Sequence, residues 1–356
     1  MRLVKVIAVL VLGLVLVVVA GAVALFAWVD PADYRAPIER QVAQRTGREF
    51  HIAGPIELKL FPWLSLSVRD ATLGNPPGFR DVPGSVHEPF ARLRQASIGV
   101  RLLPLLRSRL EVSRIAIDGL ALNLATRGGD DNWRDLGKVA ESSPQTRQGT
   151  KPAASIAGVD VHDASLAWRD LDANSTWRLS GVEVHTGAIA GDQPVKTVIE
   201  FVADRGTPIA VAKLRIDALA KLPADSTRVE LSGLTVAGEW YEKVAPGTAA
   251  ATESPSLVLR QPEPKDGLVA RPFRVAAPSL VLDWDAGTLA PASLDVKAGD
   301  LPLRVTVSGE RLFADRLLSG RIDVPEFAPR QALPSVGFDL PAAADATTFA
   351  KFALAA

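Results

Sequence analysis

The 356-residue chain contains no cysteine. It therefore forms no disulfide and offers no thiolate to a metal or to a nucleophilic mechanism. Methionine occurs only as Met1, tyrosine twice and histidine four times. Net charge is absent as well, because 40 basic residues balance 40 acidic ones and no long basic block breaks the balance. This argues against a nucleic-acid partner, which needs a basic surface. The HExxH and GxSxG signatures, the phosphate-binding glycine loop and the calcium loop are all missing from the sequence. His51, His87, His162 and His185 are scattered, and His162-Asp163 reads as a surface pair rather than a base with its orienter. No catalytic residue, metal site or cofactor is expected.

What the chain does have is one long uncharged run, residues 6–29, VIAVLVLGLVLVVVAGAVALFAWV, preceded only by MRLVK. A helix of that length measures about 36 Å, enough to cross the roughly 30 Å hydrocarbon core of a bilayer with some tilt. Arg2 and Lys5 precede the run, whereas Asp30 and Asp33 follow it with only Arg35 close by. The positive-inside bias then keeps the N-terminus cytoplasmic and exports the rest. A cleaved signal peptide is the competing reading, although its apolar core is normally only about 7–15 residues.

Beyond the run, Asp30 as N-cap, Pro31 and Asp33 in the first turn and Gly47 as a left-handed stop outline a short helix. Pro37 complicates its first turn. Tyr34, Ile38 and Val42 form one apolar stripe, which suits a helix covering the end of a sheet. The period then changes to two. Phe50, Ile52, Ile56, Leu58, Leu60, Leu64, Leu66 and Val68 all stand at even positions, which is strand patterning with one apolar face. Pauses are expected at Gly54-Pro55 and Pro62, an end to the phase at Asp70, and a loop over GNPPGF, residues 74–79.

In residues 111–125, Ile115 and Ile117 are apolar on one parity, Asp118-Gly119 intervenes, and Leu120, Leu122 and Leu124 resume on the other. A bulge or sharp bend at the glycine would keep all five on the same face. Residues 102–106, LLPLL, read as a short buried connection, and GGDDNW as a turn. Residues 138–155 read as a linker or long loop, and residues 244–256 as another loop. Between and after them, IAGVDVHDASLAW, RVELSGLTVAG and RVAAPSLVLDW echo VSRIAIDGLALNL as a weak internal repeat. The expected organisation is a start and anchor (1–29), a helix-plus-sheet module (30–137), the linker (138–155), a β-rich region (156–340) and a tail (341–356). Roughly 16 strands spaced about 4.8 Å apart would extend some 75 Å, too far for one simple sandwich layer without curling or splitting. Periodicity leaves open whether the apolar face is closed core or an open groove.

Several pieces, in order, carry a resemblance. They are Asp30-Pro31-Ala32-Asp33-Tyr34 after the apolar run, Thr46-Gly47-Arg48, the Ile56-Glu57-Leu58 and Leu60-Phe61-Pro62-Trp63-Leu64 strand, Asn75-Pro76-Pro77-Gly78-Phe79, Phe90-Ala91, VRLLPLL at 100–106, the 110–124 run and Asn132-Trp133. Together they are similar to the N-terminal part of the AsmA family. SGRIDVPEFAPRQAL with GFDLP resembles a later segment of it.

The resemblance implies a mainly β protein, with an N-terminal transmembrane helix and a short amphipathic helix ahead of an elongated, curled antiparallel sheet. It implies a single-pass inner-membrane protein, anchored through residues 6–29, with its C-terminal region in the periplasm. It also implies membrane lipids as partners, lipid binding or transfer on an apolar inner face, and a contribution to outer-membrane lipid homeostasis. Ile56, Leu58, Leu60, Ile115, Ile117, Leu120, Leu122 and Leu124 are the expected groove lining. Family members usually run well past the PEFAPR-like segment, so this chain is a short variant or a truncated one. Two other classes remain open. One is a periplasmic scaffold or assembly factor that binds envelope proteins through sheet edges; the other is an envelope hydrolase with no motif behind it.

Overall fold

The computed structural model describes residues 34–59, 64–80, 88–101, 104, 110–136, 154–205, 210–221, 227–243, 268–312, 317–338 and 351–355. The apolar run 6–29, the helix-start residues Asp30, Pro31 and Asp33, the pause at Pro62, and the stretches 138–153 and 244–256 lie outside these residues. So does most of the connection at 102–106. Among the described residues, no helix is long and apolar enough to cross a membrane.

Nearly everything described joins one sheet. Its first half comprises β1 (Phe50–Ile52), β2 (Ile56–Lys59), β3 (Leu64–Leu73), β4 (Ala91–Val100), β5 (Leu110–Val112), β6 (Ile115–Arg127) and β7 (Asp130–Asp131). The second begins with β8 (Ala154–Ile156), β9 (Val159–Asp170), β10 (Ser175–Thr186), β11 (Ile189–Ala190), β12 (Val195–Arg205) and β13 (Ala210–Lys221). It continues through β14 (Arg228–Lys243), β15 (Leu268–Asp283), β16 (Thr288–Ala298), β17 (Leu301–Glu310), β18 (Leu317–Phe327) and β19 (Phe352–Ala355). From β9 onward the principal strands form an antiparallel meander, each pairing with the next in the chain apart from the short β11. The halves meet where β6 pairs with β9, and β5 with β8, in parallel. A parallel pair needs a crossover that returns the chain to the start of the strand. The connection from Gly128 to Gly158 has that task, and it contains the stretch of few large apolar residues at 138–155.

The sheet is open and curled, and the local cause is legible. Asp70, Gly119, Asp163 and Gly181 have φ of 51°, 62°, 50° and 56°, in the left-handed region that Gly and Asp tolerate best. They interrupt β3, β6, β9 and β10 at a common level, since the register closes on either side of them: Arg69 with Gln95, Ala71 with Leu93, Gln95 with Asp118 and Leu93 with Leu120. At each, the strand bends and its side-chain parity flips, so apolar residues stay on one face on both sides of the crease. Asp70 is thus not the end of its strand, as the alternation implied, but a kink inside β3.

The first helix spans Arg35–Thr46 and ends at Gly47, whose φ is 67° and whose backbone N–H donates to the Ala43 carbonyl at 2.8 Å. Tyr34, not Asp30, is its N-cap. Pro37 then falls within the first turn, where no intrahelical N–H bond is lost. Ile38 of this helix packs on Ile52, Ile56 and Ala71 with Phe50, Val68 and Leu93, a small closed core at the first edge of the sheet. At the far end, a helix from Pro329 to Ser335 buries Pro329 and Ala332. The tail at 341–356 is not featureless, because β19 pairs with β18.

Candidate functional site

Following one row of paired residues across the sheet defines its two faces. Ile56, Val68, Ala96, Ile117, Val161, Val184, Ile199, Ile216, Val236, Val275, Val296 and Leu303 succeed one another in register from β2 to β17. Every member is apolar. At about 4.8 Å per strand the row is roughly 50 Å long. The neighbouring row, on the opposite face, runs Glu57, Ser67, Ser97, Ala116, Asp160, His185, Val198, Asp217, Thr235, Ala276, Asp295, Arg304 and Asp323. One face is therefore apolar and the other predominantly polar over nearly the whole sheet.

The apolar face is not packed away as an ordinary core. Leu66, Ile98, Trp168 and Trp177 on it are each about two-fifths exposed, and Leu318 and Ile322 reach 64% and 51%. A contiguous open apolar surface of this extent marks a binding surface in a folded protein.

The expected lining residues divide accordingly. Ile56 is only 8% exposed, sealed beneath the first helix, and belongs to the closed core. Leu58 is half-buried and pairs with Leu66, whereas Leu60 lies outside the described residues. Ile115, Ile117, Leu120, Leu122 and Leu124 are half-buried on β6 and share the open face, brought into line by the bulge at Gly119. A Cβ on Gly119 would stand 2.8 Å from the Arg94 side chain, so the bend is packed as well as conformationally selected.

On the polar face, charges neutralise one another. Arg94 donates to Asp118 at 2.6 and 3.0 Å and to Asp163 at 3.2 Å. The bond from Arg94 holds the Asp118 carboxyl below the usual carboxylate range, against a smaller desolvation effect. His162 Nδ1 lies 2.7 Å from Glu183 rather than against Asp163, and His185 Nδ1 lies 2.6 Å from Asp160. Among the described residues, no group of acidic and histidine side chains is arranged to hold a metal ion.

A second assembly ties the first edge together. Arg48, with a side chain fully out of solvent, donates to both carboxylate oxygens of Asp135 at 2.5 and 2.9 Å and to the Asn132 carbonyl at 2.6 Å. Its guanidinium lies 4.4 Å over the Phe90 ring. Asn132, also buried, donates to Asn75 Oδ1 and the Asn123 carbonyl and accepts from the Ala125 N–H. Thr46-Gly47-Arg48, the loop at 75–79, Phe90 and Asn132-Trp133 are scattered over about ninety residues, yet they meet at this junction or beside it. Arg48 and Asp135 were not expected as a pair, because nothing in a linear sequence joins positions so far apart.

Also missed was one long side of the apolar face. There Trp168, Trp177 and Arg205 occupy consecutive paired positions on β9, β10 and β12. Each closes an alternating run in the sequence, the only signal available.

Comparison with known proteins agrees with this geometry. Residues 1–252 match the model of the AsmA family. Protein AsmA of Escherichia coli (strain K12) is 31% identical over 111 residues, a segment covering 31% of this chain and 17% of that protein. The match thus spans less than a fifth of the relative's length.

Proposed function

The chain belongs to the AsmA family, and from that premise we propose that it is a membrane-anchored envelope protein that binds lipid acyl chains along its apolar sheet face. In this reading residues 6–29 hold it in the inner membrane and the sheet stands in the periplasm. The bound lipid is in transit, contributing to outer-membrane lipid homeostasis and envelope assembly. The observation that carries it is the unbroken apolar row from Ile56 to Leu303, on a face that stays largely open. An acyl chain is a fitting ligand for such a face: it gains about 0.8 kcal/mol for each CH₂ removed from water and makes no hydrogen-bond demand.

A strand from a protein partner would use backbone groups at a sheet edge instead. The first edge is already occupied. Arg35 donates to the Gly54 carbonyl at 2.8 Å, and the Ile52 N–H donates to Glu39 at 2.7 Å. Native mass spectrometry of the full chain, released from detergent, tests the reading. Copurified phospholipid is expected, and it should fall sharply when Ile117 and Leu122 are both changed to Asp in a protein that still folds. Equal lipid on both proteins would refute it.

A further inference from the structure

The apolar face is asymmetric along its length. On one long side, strand ends present Val100, Ile115, Val159, Val195 and Leu282, and no aromatic or cationic residue stands among them. On the other stand Trp168, Trp177 and Arg205, paired in that order across three strands. Arg205 is at the end of β12, and its guanidinium carbon lies 5.2 Å from the centre of the Trp177 ring. Its Nε is buried without a hydrogen-bond partner among the described residues. The nearest acid at that end of the same face, Asp170, is committed to its own turn, accepting from the Asp172 and Ala173 N–H groups at 3.0 and 2.9 Å. The adjacent Asp204 is on the opposite face, 3.8 Å from Arg178.

We infer that Arg205, framed by Trp177 and Trp168, is a headgroup site that takes the phosphodiester of a phospholipid whose acyl chains lie along the apolar face. This rests on the lipid-binding reading above and specifies its ligand. An unpaired guanidinium bonds a phosphate through two parallel N–H groups, and tryptophan favours the boundary between apolar and wet surroundings. The dimensions agree. From Arg205 down β12 to Ile199 is six residues, about 20 Å, and passes only Ala203 and Phe201 on that face. One leaflet of a bilayer, half of roughly 30 Å, fits within that distance.

The test offers the full, lipid-stripped chain an equimolar mixture of palmitoyl-oleoyl phosphatidylglycerol and palmitoyl-oleoylglycerol in micelles, and counts each bound by native mass spectrometry. The natural chain should prefer the phospholipid by about tenfold. Arg205→Gln should bring the ratio close to one while leaving diacylglycerol binding unchanged, and Arg205→Lys should keep most of the preference. Arg178→Gln, on the polar face, should leave the ratio intact. A ratio that survives Arg205→Gln, or that is lost equally in Arg178→Gln, overturns the headgroup site. Equal binding of both lipids by the natural chain overturns the site and leaves the acyl-chain reading standing; uptake of neither overturns both.

Discussion

Replacing Asp135 by Asn should loosen the first edge of the sheet, because it strands a charge that has no other counter-ion there. Arg48 has no solvent-exposed side-chain surface and holds Asp135 through both carboxylate oxygens. Losing one partner of a buried pair costs about 3–5 kcal/mol, since the other charge stays buried and uncompensated. Two features lower that figure: Asp135 itself is 38% exposed, and Arg48 keeps its bond to the Asn132 carbonyl and its place over Phe90. A loss of about 3 kcal/mol follows, which at roughly 2 °C per kcal/mol lowers a thermal midpoint by about 6 °C.

The pH dependence supplies an independent check. The hydrogen bonds from Arg48 hold the Asp135 pKa below the ordinary carboxylate value, outweighing desolvation. A carboxyl with a depressed folded pKa contributes stability above its unfolded pKa, near 3.9, and loses it as pH falls through the folded value. The gap between the natural chain and Asp135→Asn should therefore be full at pH 7 and narrow progressively below about pH 4. Differential scanning fluorimetry across that range measures it. A midpoint change under about 1 °C at pH 7, or a gap that widens in acid, would refute the reasoning.

Truncations should separate closed core from open face. Ile52, 1% exposed, should cost about 3 kcal/mol as Ile52→Ala, whereas Ile322→Ala on the open face should cost less than about 1 kcal/mol in urea denaturation. Gly119→Val forces a branched side chain into a left-handed backbone position against Arg94, and should destabilise by about 1–3 kcal/mol in the same measurement.

Much of the sheet was legible because one face is apolar. Even-numbered residues from Phe50 to Val68 named the face, and Gly119 between Ile117 and Leu120 named its bulge before any pairing was known. Asp70 was misread for a physical reason: an aspartate that ends a run and one that kinks a strand through a left-handed turn look alike in sequence. Which strands pair was hidden, above all the parallel union of β6 with β9, because it depends on contacts across the crossover. Ile56 shows the limit at the site. Its alternation is the same as that of Ile117, yet the first helix closes over one and leaves the other half-exposed.

The central claim is that one face of the sheet meets lipid and the other meets water. A photo-crosslinking residue placed in the full chain in its native membrane tests this at neighbouring positions that differ only in face. Ile117, Ile199 and Val275 on the apolar face should yield phospholipid adducts, and Ala116, Val198 and Ala276 should yield few or none. Lipid adducts spread evenly over both sets, or protein adducts alone from the apolar set, would contradict it.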